Sequence, residues 1–162
     1  MMLRKLIDNL DGQLQFHRVM LDVLVEEVAL PTSCQVSELE ALHAKRDRAL
    51  DEIKALEMAR LRIIETYANE NGLTGDHSLK SIIATSDSET GAKLQSQRDQ
   101  LMELVTRIKE VGQKNAERAI LRKNCITEVQ QALHKGFKRT SVYSMYGKIQ
   151  QPKGSFTLQR RV

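Results

Sequence analysis

Residues 3–28 read LRKLIDNLDGQLQFHRVMLDVLVEEV, and the spacing inside that stretch decides the fold. Leu3, Ile7, Leu10, Leu14, His17, Leu21, Leu24 and Val28 follow one another by alternating steps of four and three, which on an α-helix brings all eight onto one stripe. So long a seam predicts a helix packed lengthwise against others. Leu6, Phe16, Met20 and Val25 widen its apolar face, as a bundle helix needs and a two-stranded coil does not. Pro31 disfavours helical geometry at Leu30 and has no N–H to donate, so the helix is expected to stop there. His17 sits on the seam and reads as a core histidine, since no second His or acid shares its spacing.

A second seam follows. Leu39, Leu42, Arg46, Ala49, Ile53, Leu56, Arg60, Ile63 and Tyr67 form its stripe, Ser37 with Glu40 suggests a capping box at its start, and its end is expected near Gly72. Arg46 and Arg60 make this a partly polar seam. Their guanidinium groups either reach the seam edge or pair with acids of another helix. In an antiparallel hairpin Glu26 and Glu27 would face the start of the second helix, which predicts a glutamate contact to Arg46 or Lys45.

Residues 72–77 read as a turn and residues 78–84, with Leu79, Ile82 and Ile83, as a short helical piece. Ser86 and Glu89 then repeat the capping-box spacing, opening a helix from about residue 87 to 135. At 1.5 Å per residue it would run for roughly 70 Å, a length that implies a bundle edge or a break. Its seam is read as Leu101, Val105, Ile108, Gly112, Asn115, Ala119, Arg122, Ile126, Val129 and Leu133. Gly112 and Ala119 would permit close approach or a kink, with Asn115 fixing the register. The alternative is a rotation that turns Val111, Ile120 and Leu121 inward. The expected fold is all-α: an elongated antiparallel up-down bundle over residues 1–135, three long helices plus the short piece, with left-handed coiled-coil-like packing.

Residues 136–162 differ in chemistry. They contain no Asp or Glu but hold Phe137, Tyr143, Tyr146 and Phe156, four of the six aromatic residues. With Lys135 they carry seven of the 25 basic residues; the remaining 18 face all 21 acids, so a body of about −3 precedes a segment of +7. Such asymmetry marks an interaction tail. Rings favour that reading over a solvated terminus, because disordered tails are aromatic-poor and interfaces are not. Residues 136–162 are therefore expected to be a flexible, basic, partner-binding tail.

Enzyme chemistry is not legible. His17, His43, His77 and His134 are scattered, no His-Glu-x-x-His occurs, and Glu-x-x-His occurs once, at Glu40 and His43, without the second copy a di-iron site needs, which removes the zincin and di-iron patterns. Tyr146-Gly147-Lys148 is no phosphate loop, since Val142 stands where glycine is needed and Ile149 follows the lysine. Cys34 and Cys125 are too few for a disulfide framework or zinc site, and Cys125 reads as a small buried hydrophobe. No catalytic residue, cofactor, metal or small-molecule substrate is assigned. No secretion signal is expected, since Asp8 and Asp11 follow Arg4 and Lys5, and no apolar run approaches the roughly 20 residues that span a bilayer. A cytoplasmic protein without membrane insertion is expected. Single-stranded nucleic acid is a competing partner, because the tail interleaves cations with rings; its charge density is moderate and the body acidic. A structural coiled-coil adaptor is a third reading.

The order of these features resembles the FlgN-type flagellar export chaperones. In that family the first helix closes with a Glu shortly before Ala-Leu, matched by Glu26 or Glu27 before Ala29-Leu30. A Leu-rich second helix with a Lys and a later Arg follows, matched by Leu39, Leu42, Lys45, Leu56 and Arg60. The last helix carries two Asn three apart and then a loop with Tyr and, four positions on, Gly. Asn115 fits the first, Arg118 replaces the second, and Tyr143-Ser-Met-Tyr-Gly147 fits the loop, with Tyr146 the other candidate tyrosine.

The resemblance implies a cytosolic, non-enzymatic chaperone. It would bind the C-terminal helical segments of hook-associated proteins, prevent their premature self-association and deliver them to the membrane export gate. Val129, Leu133, Phe137, Val142 and Met145 are the expected client contacts; Tyr143, Tyr146 and Gly147 are expected to meet either the client or the gate, and the sequence does not divide the segment between them.

Overall fold

The computed structural model of the chain describes residues 1–31, 34–73, 78–139, 142–143 and 149–150, with side chains through residue 135. Four helices carry the fold: α1 (Met2–Ala29), α2 (Val36–Glu70), α3 (Leu79–Thr85) and α4 (Ser88–Arg139). A two-residue antiparallel ladder pairs β1 (Val142–Tyr143) with β2 (Ile149–Gln150), placing Val142 opposite Gln150 and Tyr143 opposite Ile149. The fold class is all-α. The chain divides into two compact units, Met1–Arg118 and Ala119–Val162, and α4 contributes residues to both.

In the first unit α2 runs antiparallel to α1 and to the first part of α4. One core cluster joins Leu6 and Leu10 of α1 to Ile64 of α2, Ile82 of α3 and Leu94 of α4. A second joins Met20 and Leu24 to Ala49, with Ile53, Ile108 and Val111 packed against it. Residues early in α1 thus meet residues late in α2 and early in α4. Leu6, Leu10, Ile82 and Leu94 are fully buried, and burial of each such side chain stabilises by about 1.5–3 kcal/mol. The short α3 puts Ile82 into this cluster. Gly91 lets α4 pass close by it, since a Cβ there would come within 3.2 Å of the Ile83 carbonyl.

Three buried polar side chains tie the helices together beside this core. Asn9 Nδ2 donates to the Leu56 carbonyl at 3.0 Å, and Gln13 Nε2 donates to Asn9 Oδ1 at 2.8 Å. Gly12 sits between them, where a Cβ would approach Leu56 Cδ1 to 3.3 Å. Across the other side of α1, Gln97 Nε2 donates to the Ile7 carbonyl and to Asp11 Oδ1, at 3.2 and 2.5 Å. The bonds to the Leu56 carbonyl and from Gln97 each fix one helix axially against another, and the Gln13–Asn9 bond within α1 holds the Asn9 amide in place.

Several details depart from expectation. α2 begins at Val36, not after Ser37: the Gln35 N–H donates to Glu38 Oε2 at 3.1 Å, so the box lies two residues earlier. Ser86 does not open α4 but closes α3, its hydroxyl donating to the Ile82 carbonyl at 2.7 Å; Asp87 Oδ1 caps α4 by accepting the Thr90 N–H at 2.9 Å. Val25 is exposed, and Val23 is buried in its place. Cys125 is exposed, not a buried hydrophobe.

The third seam is also shifted. Leu101, Ile108 and Asn115 are inward positions as expected, but the residues between and after them are Leu104, Val111 and Arg118. Val105 is 48% exposed, Ala119 is exposed, and a Cβ on Gly112 would meet nothing within 4 Å. The steps alternate three then four, where the expectation had four then three. A rotation explains Val111 but not Ile120 and Leu121, which are exposed. No close approach or break occurs at Gly112, and α4 is continuous through it.

Two outcomes follow. Gly112→Ala should raise the urea midpoint, gaining about 1 kcal/mol of helix propensity in a position with open space; a loss would restore the close approach. The Asp87 carboxyl is held below its ordinary value, chiefly by the Thr90 N–H. A depressed folded-state pKa means the cap is fully present above the unfolded value and is lost as pH falls through the folded one. Thermal stability should therefore decline below about pH 4, and Asp87→Asn should remove that part of the decline.

Candidate functional site

The end of α1 is built from side chains of two other helices. Pro31 stops the helix and leaves its last carbonyls without intrahelical donors. α4 supplies donors to two of them, Arg118 donating through Nη1 to the Val28 carbonyl and through Nη2 to the Leu30 carbonyl, the latter at 3.2 Å, while Asn115 Nδ2 adds a bond to the Leu24 carbonyl one turn back, at 3.0 Å. A guanidinium at a helix C-terminus also meets the negative end of the helix dipole. Arg118 thus caps α1 from a neighbouring helix.

Glu27 gathers the rest of the cluster. Its carboxylate accepts from Asn115 Nδ2 at 3.3 Å, lies 3.4 Å from His43 Nε2 and 3.9 Å from Arg46 Nη1. The side chain is only 13% exposed, so its charge stands where water is scarce and partners matter. Three helices therefore converge on one acid. Of the two glutamates expected to face α2, Glu27 makes the contact and Glu26 is exposed. Arg46 reaches across helices, whereas Arg60 pairs within α2, its Nη2 lying 3.4 Å from Glu57 Oε1.

Asn115 and Arg118 lie three apart on α4, one turn of one face, so both can address the same helix end. Arg118 stands where the second asparagine of the family pattern was expected, and it supplies amide-like donors with longer reach and a charge. Sequence reasoning missed it because the shifted seam put Ala119 on the inner face. The signal was the spacing: 108, 111, 115, 118 and 122 is as regular as the series chosen.

The second unit offers a different surface. On its part of α4, Ile126, Val129 and Leu133 recur by steps of three and four and are 60%, 54% and 56% exposed. They form one apolar stripe on a helix otherwise rich in Lys, Arg and Glu. Phe137 belongs to the same helix, and Val142 and Tyr143 to β1, with their side chains outside the described residues. Met145, Tyr146 and Gly147 lie outside the described residues altogether.

Other chemistry is sparse. A groove of about 580 Å³ between α1 and α4 is lined by Asp11, Leu14, Gln15, Arg18, Lys93, Ser96, Gln97 and Gln100. Arg18 Nη2 bridges it to Gln100 Oε1 at 3.3 Å. Among the described residues no group of three His, Cys, Asp or Glu is placed to hold a metal, and no helix is long and apolar enough to cross a membrane.

A family model described as FlgN protein matches residues 1–151, and the chain belongs to that family. Searches of curated proteins and of solved structures found no match. FlgN proteins are flagellar export chaperones for hook-associated proteins; they are not enzymes and act in the cytoplasm. Membership therefore places this chain among the secretion chaperones.

The two glutamates at the end of α1 give a direct test of the cluster. Glu27→Ala should lower stability by about 1–3 kcal/mol in urea unfolding, because it strips partners from three half-buried groups. Glu26→Ala should stay within about 0.5 kcal/mol, as an exposed position does.

Proposed function

We propose that the stripe of Val129 and Leu133, begun by Ile126 and continued by spacing to Phe137, receives the C-terminal helical segment of a hook-associated protein, with Val142 and Met145 completing the contact. Tyr143, Tyr146 and Gly147 then serve the second partner, the export gate, and residues 136–162 act as the partner-binding tail. The observation that carries this reading is the exposure of three large apolar side chains at helical spacing.

A client segment that self-associates through an apolar helical face is kept apart only if that face is covered. A second amphipathic helix covers it by matching anchors at i, i+3 and i+7, the spacing of Ile126, Val129 and Leu133. A methionine nearby adapts its shape to more than one client sequence. Tyrosine suits the other role, since it brings a rigid apolar ring and a hydroxyl to an interface.

The two assignments separate experimentally. Val129→Glu with Leu133→Glu should weaken binding of a hook-associated protein's C-terminal fragment by at least about 100-fold, as two anchors worth about 1.5–3 kcal/mol each would, while helical circular dichroism is unchanged. Tyr143→Ala with Tyr146→Ala should weaken binding to the isolated cytoplasmic domain of the export gate and leave client affinity intact. Full client affinity in the glutamate variant would move the client site off α4. Loss of client binding in the tyrosine variant would merge the two sites.

A further inference from the structure

The first unit is unevenly packed along its length. At one end Leu6, Leu10, Ile64, Ile82 and Leu94 are 0–4% exposed, and Leu3, Ile7, Ile63, Tyr67, Leu79, Ile83 and Leu101 close around them. At the other end the cluster is Met20, Leu24 and Ala49, backed by Ile53, Ile108 and Val111. No residue of α1 past Leu24 is buried, and no described residue of α4 past Gln97 is buried. α1 and α2 remain in extensive contact throughout, with Leu42 and Ala49 buried at this same end. The first part of α4 is therefore held firmly at its start and lightly at residues 108–118.

What holds those residues is polar. Asn115 donates to the Leu24 carbonyl and to Glu27, and Arg118 to the Val28 and Leu30 carbonyls. Bonds of this kind exchange for water at small net cost, and local opening follows the regions with few buried apolar contacts. We infer that Glu27, Asn115 and Arg118 form a releasable latch, from which residues 108–118 of α4 lift off a persisting α1–α2 hairpin while the opposite end stays closed. Opening uncovers Met20, Leu24 and Ala49, an apolar strip that the closed bundle hides. The device stands apart from the client-binding stripe and does not depend on it.

Two alanines of α2 report on the two ends. Ala49, 2% exposed, lies under the latch end, and Ala68, 0% exposed, lies at the other. Full-length protein with Cys34 and Cys125 replaced by serine would carry either Ala49→Cys or Ala68→Cys, and its reaction with a maleimide would be timed under native conditions. The latch requires Ala49→Cys to react at least tenfold faster. Adding Arg118→Ala should speed that reaction by about tenfold more, the scale of losing one or two net hydrogen bonds, without changing the rate at Ala68→Cys. Equal rates at both sites, or equal acceleration by Arg118→Ala, would show the unit opening as a whole and overturn the latch. Should a cysteine variant fail to fold, hydrogen exchange on the natural chain decides: residues 108–118 must exchange faster than residues 90–101, and equal protection overturns the proposal.

Discussion

A helix that must stop at a proline leaves carbonyls that need donors, and in this chain another helix provides them. The arrangement around Arg118 follows from that constraint. Its guanidinium reaches the Val28 and Leu30 carbonyls only when α4 lies alongside α1 with residue 118 level with the helix end. Asn115, one turn earlier, reaches the Leu24 carbonyl in the same register. Apolar seams specify which faces meet but tolerate sliding; directional bonds to named carbonyls do not. The polar contacts at 115 and 118 therefore set the axial position that the leucines leave open.

The same logic recurs nearer the start of α1. Asn9 and Gln13 both address the Leu56 carbonyl, while Gln97 addresses the Ile7 carbonyl and Asp11. Neutral amides suit these sites, because a buried amide with its bonds made costs little, whereas a buried unpaired charge costs far more. Glu27 is the exception that carries a charge, and it is accompanied by Asn115, His43 and Arg46. The half-buried carboxylate of Glu27 thus sits where α2 and α4 both supply partners.

The seams of α1 and α2 were legible because one row in each holds most of the large apolar residues; every named member of the second seam is buried or half-buried. The third seam was harder. From Leu101 to Arg122 the sequence offers two interleaved rows, and choosing by hydrophobicity admitted Val105 while treating Arg118 as a departure. Asn9 and Gln13 escaped notice for the same reason, although Leu6, Asn9, Gln13, Phe16 and Met20 step as regularly as the row beside them. Polar residues that face inward to bond a carbonyl look like surface residues until the partner is known. Capping boxes misplaced by one or two residues reflect a related ambiguity, since Gln35, Ser37, Ser86 and Asp87 all precede a suitable acceptor or donor at the right spacing. As for the candidate site, spacing alone grouped Val129 and Leu133, and their exposure comes from the fold.

An apolar stripe that, as we propose, receives a partner must still avoid its own kind. Ile126, Val129 and Leu133 expose apolar surface on a strip about one side chain wide, flanked on the same helix by exposed Lys123, Glu128, His134 and Lys135. Adjacent charges of both signs oppose face-to-face docking of two copies in most registers. A client helix escapes that restriction if its own apolar row is bordered by charges in the complementary order. Selectivity then resides in the border and affinity in the row, so a surface weak enough to remain soluble can still hold one kind of helix well.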